Sequence, residues 1–326
     1  MNARTALPTL TLPAVAALSA LLSACGGGSA PTPTYTLSVN VPANLKVGET
    51  TQLAYTVKNA QGDTISGQAV TWTSSDPQMV SVNAAGQATA RHLSLSRKKV
   101  TLTAKLASGA TASADANTYG IDVAFGVHRD PLNGTDRLSL AYSAIRFQRI
   151  DGTPLAADTS CTFTGPAGAK VGPVCLVRAV IPTSSGFAYA PTAPAQAGTY
   201  GVTFTLDGVT YTKTQFIDPA QALPFVQNLK VTASGTTLGA TGTTVDAVKL
   251  ADVFIYTDSN TSYSTARIAA GANLNVSGPI RESGPIAPGT YHTIVSTYGT
   301  LPPNQQDVLP DTMYFTDTYG PDIVVP

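Results

Sequence analysis

Apolar residues recur at every second position along much of this chain, and no window of residues 35–118 holds them at the 3.6-residue spacing of a helix. Leu53, Tyr55 and Val57 alternate with Ala54, Thr56 and Lys58, and Val70 and Trp72 with Thr71 and Thr73. Val80 and Val82 flank Ser81, and Val100, Leu102 and Ala104 alternate with Thr101 and Thr103. Successive strand residues point to opposite faces, so the pattern sets one wall against a core and the other in water. Turn formers such as Gln61-Gly62-Asp63 and Ala85-Gly86 separate these segments. About seven short strands at this spacing predict a β-sandwich over residues 35–118.

The same reading continues downstream. Strands are expected over Ile121–Val127, Leu138–Ile150, Cys161–Phe163, Cys175–Val180, Tyr200–Leu206 and Thr210–Phe216. Asn133-Gly134, Asp151-Gly152 and Asp207-Gly208 punctuate them as hairpin signals. A boundary near Asp115–Thr118 and another after Phe216-Ile217-Asp218-Pro219 give a second unit at 119–217 and a third at 218–326. The third offers Leu229–Ala233, Val245–Val248, Val253–Tyr256, Tyr263–Ile268, Leu274–Val276, Tyr291–Tyr298 and Met313–Thr316. The fold class expected is all-β: tandem immunoglobulin-like β-sandwiches behind a cleaved leader.

Residues 1–24 have the parts of a secretory signal: Arg4, an apolar run from Leu10 to Leu22, then small residues before a cut. The run is too short, and too broken by Pro8 and Pro13, to span a bilayer. Leu22-Ser23-Ala24-Cys25 resembles the lipobox of bacterial lipoproteins. The resemblance implies diacylglyceryl attachment at Cys25, cleavage before it, and anchoring in a membrane. Each buried methylene contributes about 0.8 kcal/mol, so two or more acyl chains hold where one does not. Residues 25–34 are a tether, flexible in its Gly/Ser part and extended in its Pro-Thr-Pro part. Gly26 in place of Asp leans towards the outer membrane or cell surface.

Within the first unit, Leu45-Lys46-Val47-Gly48-Glu49-Thr50 is followed by Gln52-Leu53 and then by Val70-Thr71-Trp72-Thr73-Ser74-Ser75-Asp76-Pro77. Val80-Ser81-Val82, Gly86-Gln87-Ala88-Thr89-Ala90 and Val100-Thr101-Leu102-Thr103-Ala104 come next. This order resembles the bacterial group 2 immunoglobulin-like domain of intimin- and invasin-type adhesins. The stretch His92–Lys99 departs from it, standing where that family has a short Gly-containing turn. Trp72, the sole tryptophan, is expected in the sandwich core, and Arg97-Lys98-Lys99 in a solvated turn.

Gly198-Thr199-Tyr200 and Gly289-Thr290-Tyr291 recur 91 residues apart, a domain-sized interval. Gly-Thr-Tyr entering a late strand resembles the tyrosine corner of immunoglobulin-like and fibronectin type III sandwiches, which implies hydroxyls of Tyr200 and Tyr291 bonded to upstream backbone. Residues 248–256 resemble a central fibronectin type III strand. With Cys25 assigned to lipid, Cys161 and Cys175 remain for one disulfide, worth about 3 kcal/mol for a loop this short.

Net charge is zero, which argues against nucleic acid as a partner. It is unevenly shared: basic and acidic residues number 7 and 4 in residues 35–118, 7 and 6 in 119–217, and 4 and 9 in 218–326. Three histidines, His92, His128 and His292, fall one to each unit, and no nucleophile, zinc or phosphate-loop motif accompanies them. Asp130, Asn133 and Asp136 surround a turn with hard oxygen atoms, but not at the spacing of a calcium loop. No metal, no cofactor and no catalytic residue are expected.

The function expected is a non-catalytic envelope lipoprotein, structural or adhesive, whose partners are membrane lipid and an envelope protein or polysaccharide. The alternative is a carbohydrate-binding or hydrolytic surface protein using the two C-terminal units, with Phe187 and Tyr189 exposed in a Pro/Ser-rich loop.

Overall fold

The computed structural model describes residues 34–132, 135–153, 155–166, 175–177, 188–300 and 307–326. Cys25, the leader, the tether up to residue 33, Asn133-Gly134 and Phe187 lie outside them. The protein is all-β, built of sandwiched sheets; the one helical element among the described residues is a 3-10 turn at Pro219–Gln221.

The first unit holds β1 (Thr36–Asn40), β2 (Asn44–Lys46), β3 (Thr50–Gln52), β4 (Ala54–Lys58), β5 (Val70–Ser74), β6 (Val80–Val82), β7 (Gln87–Ala90) and β8 (Val100–Leu106). β9 (Thr111–Leu132) leads into the second, with β10 (Thr135–Gln148), β11 (Thr159–Ser160), β12 (Thr162–Thr164), β13 (Leu176–Val177), β14 (Ala188–Pro194), β15 (Gly198–Leu206) and β16 (Val209–Ile217). The third holds β17 (Gln227–Ser234), β18 (Thr237–Thr243), β19 (Leu250–Tyr256), β20 (Ser262–Ser264), β21 (Ile268–Ala269), β22 (Asn273–Pro279), β23 (Gly289–Tyr298) and β24 (Met313–Val325).

Three cores follow. Leu37, Leu45, Val57, Trp72, Val80, Leu102 and Ala116 belong to the first, with Trp72 7% exposed. Ile121, Val123, Phe125 and Val127 of β9 meet Tyr200, Val202 and Phe204 of β15 in the second. Leu238, Leu274 and Val276 face Val253, Ile255, Tyr291 and Val295 in the third.

β9 joins these bodies. It pairs with β8 over Thr111–Ala116, with β2 in parallel at Asn117–Tyr119, and with β10 from Gly120 onward. The sequence boundary at Asp115–Thr118 thus falls inside a continuous strand, although the cores change there. Gly120 marks the transfer: its φ of +109° is strained for any residue with a β-carbon. β24 then adds in parallel to β9, Met313 opposite Gly126 and Phe315 opposite His128. One sheet therefore runs β14-β10-β9-β24-β23-β19-β20 through the second and third units.

Several expected elements differ. Val245–Val248 is not a strand but a turn, because the Val248 N–H bonds the Val245 carbonyl within the segment instead of a neighbouring strand. Tyr263–Ile268 splits into β20 and β21. The strand expected at Met313–Thr316 continues to Val325. Tyr189 is not in a loop; it lies on β14, opposite Ala141 of β10. Asp207-Gly208 makes the hairpin turn expected of it, with φ of 51° and 76° between paired Leu206 and Val209.

Candidate functional site

Tyr200 and Tyr291 are buried at the starts of β15 and β23. The Tyr200 hydroxyl donates to the Gln196 carbonyl at 3.0 Å and accepts from the Gln196 N–H at 3.2 Å. The Tyr291 hydroxyl donates to the Ala287 carbonyl at 2.8 Å. Both hydroxyls reach four residues upstream, the geometry that the Gly-Thr-Tyr echo implies. Tyr200→Phe and Tyr291→Phe are each expected to lower stability by about 1 kcal/mol, more for Tyr200, whose hydroxyl makes two bonds. Denaturant titration reads this, and a loss under roughly 0.3 kcal/mol at both sites rejects the role. Cys161 and Cys175 form a disulfide across the second unit, beside the Cys161 N–H bond to the Cys175 carbonyl.

The densest polar chemistry lies where the three units meet, and it is organised by the His92–Lys99 segment. His92 is 2% exposed, with Nδ1 3.1 Å from Asp122 Oδ1 and Nε2 3.0 Å from Asp311 Oδ1. Asp122 is fully buried on β9 and also accepts from the N–H groups of Leu93 and Val123, each at 2.9 Å. Lys213 of β16 approaches it at 3.9 Å while donating to the Arg91 carbonyl. Arg91 itself is paired with Asp311. Alongside, Ser94 Oγ and the Ser96 N–H bond to the Asp307 carboxylate at 2.7 and 2.6 Å. The Asp307 carbonyl accepts from the Leu95 N–H at 3.0 Å and from the buried Arg146 guanidinium at 2.7 Å. Val308 completes the first core, and Leu309 packs on Ala124 of β9.

This arrangement sets the ionisation of its members. Burial pulls His92 down, but the charge and hydrogen bond of Asp122 and the hydrogen bond of Asp311 outweigh it, and the net direction is up from 6.5. The His92 hydrogen bond, with Arg91 assisting against burial, holds Asp311 well below the usual carboxylate range. Burial lowers Lys213, with Asp122 and Asp311 opposing, and burial likewise lowers Arg146.

A second polar row crosses the β9–β24 seam. The His128 ring stacks on Phe315 at 4.2 Å between centroids, and Phe315 stacks on Tyr298 at 5.9 Å. His128 Nε2 lies 2.8 Å from Asp317 Oδ2, which shares its carboxylate with Ser296 Oγ at 2.6 Å. Tyr298 donates to Asp252 at 3.2 Å, and burial pushes both groups up. In the third unit, His292 stands between Asp322 at 2.9 Å and Asp258 at 3.0 Å on an exposed surface.

Asp130 and Asp136, weighed as calcium ligands, are each paired with an arginine, Arg137 and Arg129. Arg97, Lys98 and Lys99 are all exposed, as expected of a solvated turn, with Arg97 bonding the Gly152 carbonyl and Lys98 pairing with Asp76 at 3.2 Å. Sequence reasoning did not single out Asp122, Arg146, Lys213, Asp307, Asp311 or Asp317. Its one signal was the surplus acid of the third unit, part of which crosses to His92, Arg91, Arg146 and His128.

No family model matches the chain, and no curated protein matches it. Among solved structures it is similar to dimeric latent PorU from Porphyromonas gingivalis, at 10% identity over 88% of this chain and 34% of that one, TM-score 0.20. It is also similar to the S-layer protein rSbsC(31-844), at 16% over 88% and 40%, TM-score 0.20. Titin domains A168-A170 align at 11% over 90% and 98%, TM-score 0.19. The chain thus spans between a third and two fifths of the length of the first two.

Proposed function

We propose that this chain is a non-catalytic envelope lipoprotein, held in the outer membrane or at the cell surface through acylated Cys25. Its three sandwiches act as one stiff arm that carries or grips an envelope protein or polysaccharide. The observation that carries the reading is the joint around His92: a buried contact with Asp122 and half-buried contacts with Asp311 and Asp307 tie the first unit to both others. Independent binding modules on flexible linkers have no use for such a joint. His92 and His292 each stand between two carboxylates, a pattern suited to structure rather than acyl transfer. Nothing in this reading calls for a cofactor, a metal or nucleic acid.

Cys25→Ala is expected to move the protein from the membrane to the soluble fraction and to abolish labelling by fatty acid. Membrane retention by the variant, with no label on the natural protein, overturns the anchor. A glycan array and a pull-down from envelope extracts then test the gripping role, and turnover of any substrate lost on replacing a histidine would reject the non-catalytic one.

A further inference from the structure

We propose that the joint around His92 is a proton-operated latch, which ties the first unit to the C-terminal segment in mildly acidic surroundings and loosens that tie as the medium turns alkaline. The argument begins from the two ring nitrogens. Each lies within hydrogen-bond distance of a carboxylate, Nδ1 of Asp122 and Nε2 of Asp311. Carboxylates only accept, so both bonds exist only when the imidazole carries two protons. The two acids belong to different parts of the chain: Asp122 to β9 and Asp311 to the segment leading into β24. The doubly protonated ring is therefore the proton-dependent tie across a junction that Arg91, Ser94, Leu95 and Ser96 also bridge.

Loss of one proton does not affect both bonds equally. Asp122 is fully buried, held by two backbone N–H groups and faced by Lys213, so the remaining ring proton stays with it. The bare Nε2 lone pair then faces the Asp311 carboxylate, which is 59% exposed and keeps only Arg91 as its charged partner. The charged groups around the ring come from every packed element: Asp122 on β9, Lys213 on β16, Arg146 on β10 behind Asp122, Asp311 on the C-terminal segment, and Arg91 next to the histidine.

The pH window follows from the directions. His92 is raised, so its contribution is complete below 6.5 and is lost as pH climbs through its folded value. Asp311 is lowered, so its contribution is complete above 3.8 and is lost only in strong acid. The latch is tightest between those limits. A groove of about 470 Å³ lined by Lys46, Glu49, Arg91, Thr212 and Lys213 lies beside this junction, between the first unit and β16.

The test uses the full chain in a His292→Asn background, which removes the exposed histidine pair. Hydrogen exchange of the Leu95 and Ser96 amides, both bonded to Asp307 across the junction, reads the latch, and NMR titration of the His92 ring reads its proton. Corrected for intrinsic exchange, protection is expected to fall from about pH 5 to about pH 8, by about tenfold for each unit by which His92 is raised. His92→Gln should flatten this dependence. Should that variant not fold, Asp311→Asn decides: it should bring acid-side protection down to the alkaline level and shift the His92 titration lower. Constant protection across the range, the same slope in His92→Gln, or a His92 that titrates below 6.5 overturns the latch.

Discussion

Asp122→Ala is expected to destabilise the protein by about 3–5 kcal/mol, because it breaks a buried ion pair by removing only one partner. The carboxylate is fully buried and serves four groups: the His92 ring, the N–H groups of Leu93 and Val123, and the Lys213 amine. Without it, an imidazolium and an ammonium remain in a space closed to water, with like charges facing one another. Equilibrium denaturation below pH 6.5, where His92 is charged, gives the largest loss. The cost should shrink as pH rises and both cations can shed protons, because burial already lowers Lys213. A paired change, Asp122→Ala with His92→Phe, should cost less than the sum of the two single changes, since it removes the charge left stranded. A single-variant loss near 1 kcal/mol, no more than an ordinary point change costs, would show the joint to be dispensable.

Gly126→Val is expected to detach β24 from β9. A β-carbon at position 126 would overlap the Met313 carbonyl oxygen and lie 2.8 Å from its carbonyl carbon, both of them backbone atoms with little room to yield. At this point the two strands approach too closely for any β-carbon at position 126. Overpacking of this kind costs about 3 kcal/mol when the backbone must move. Detachment also unstacks His128 from Phe315 and breaks the contact of His128 with Asp317. The readouts are a lower unfolding midpoint and faster exchange of the amides of residues 313–316. Gly239→Val is the comparison: it lies inside β18, where the nearest atom is a threonine hydroxyl at 3.0 Å, and should leave those amides unchanged. Unchanged exchange in Gly126→Val would refute the tight seam.

The strands were legible because most of them have one wet face. Val80, Leu102, Val202 and Val253 all announce themselves by alternation, and the Gly-Thr-Tyr echo placed both hydroxyl corners. β9 was only half legible. Ile121, Val123, Phe125 and Val127 mark one face, while Asp122, Ala124, Gly126 and His128 read as the solvent face. They are buried because residues 307–317 return from the far end of the chain to cover them. Period-two reading reports which residues share a face, but it cannot report what lies against that face. The junction was hidden for the same reason: His92 and Asp311 are 219 residues apart, and an aspartate in a strand or loop carries no local sign of such a partner. The departure from the adhesin pattern at His92–Lys99 was the nearest clue, since these are the residues that reach across.

The parallel pairing of β24 with β9 bears on how the chain is made. Residues 111–132 leave the ribosome long before residues 313–325 exist to meet them. Until then a hydrophobic strand with buried-type charges is open to the wrong neighbour, and settling it must wait for closure of a loop of nearly two hundred residues. Closure of this seam is therefore expected to be a late step, timed by the arrival of residues 313–325, while the separate cores of the second and third units form before it.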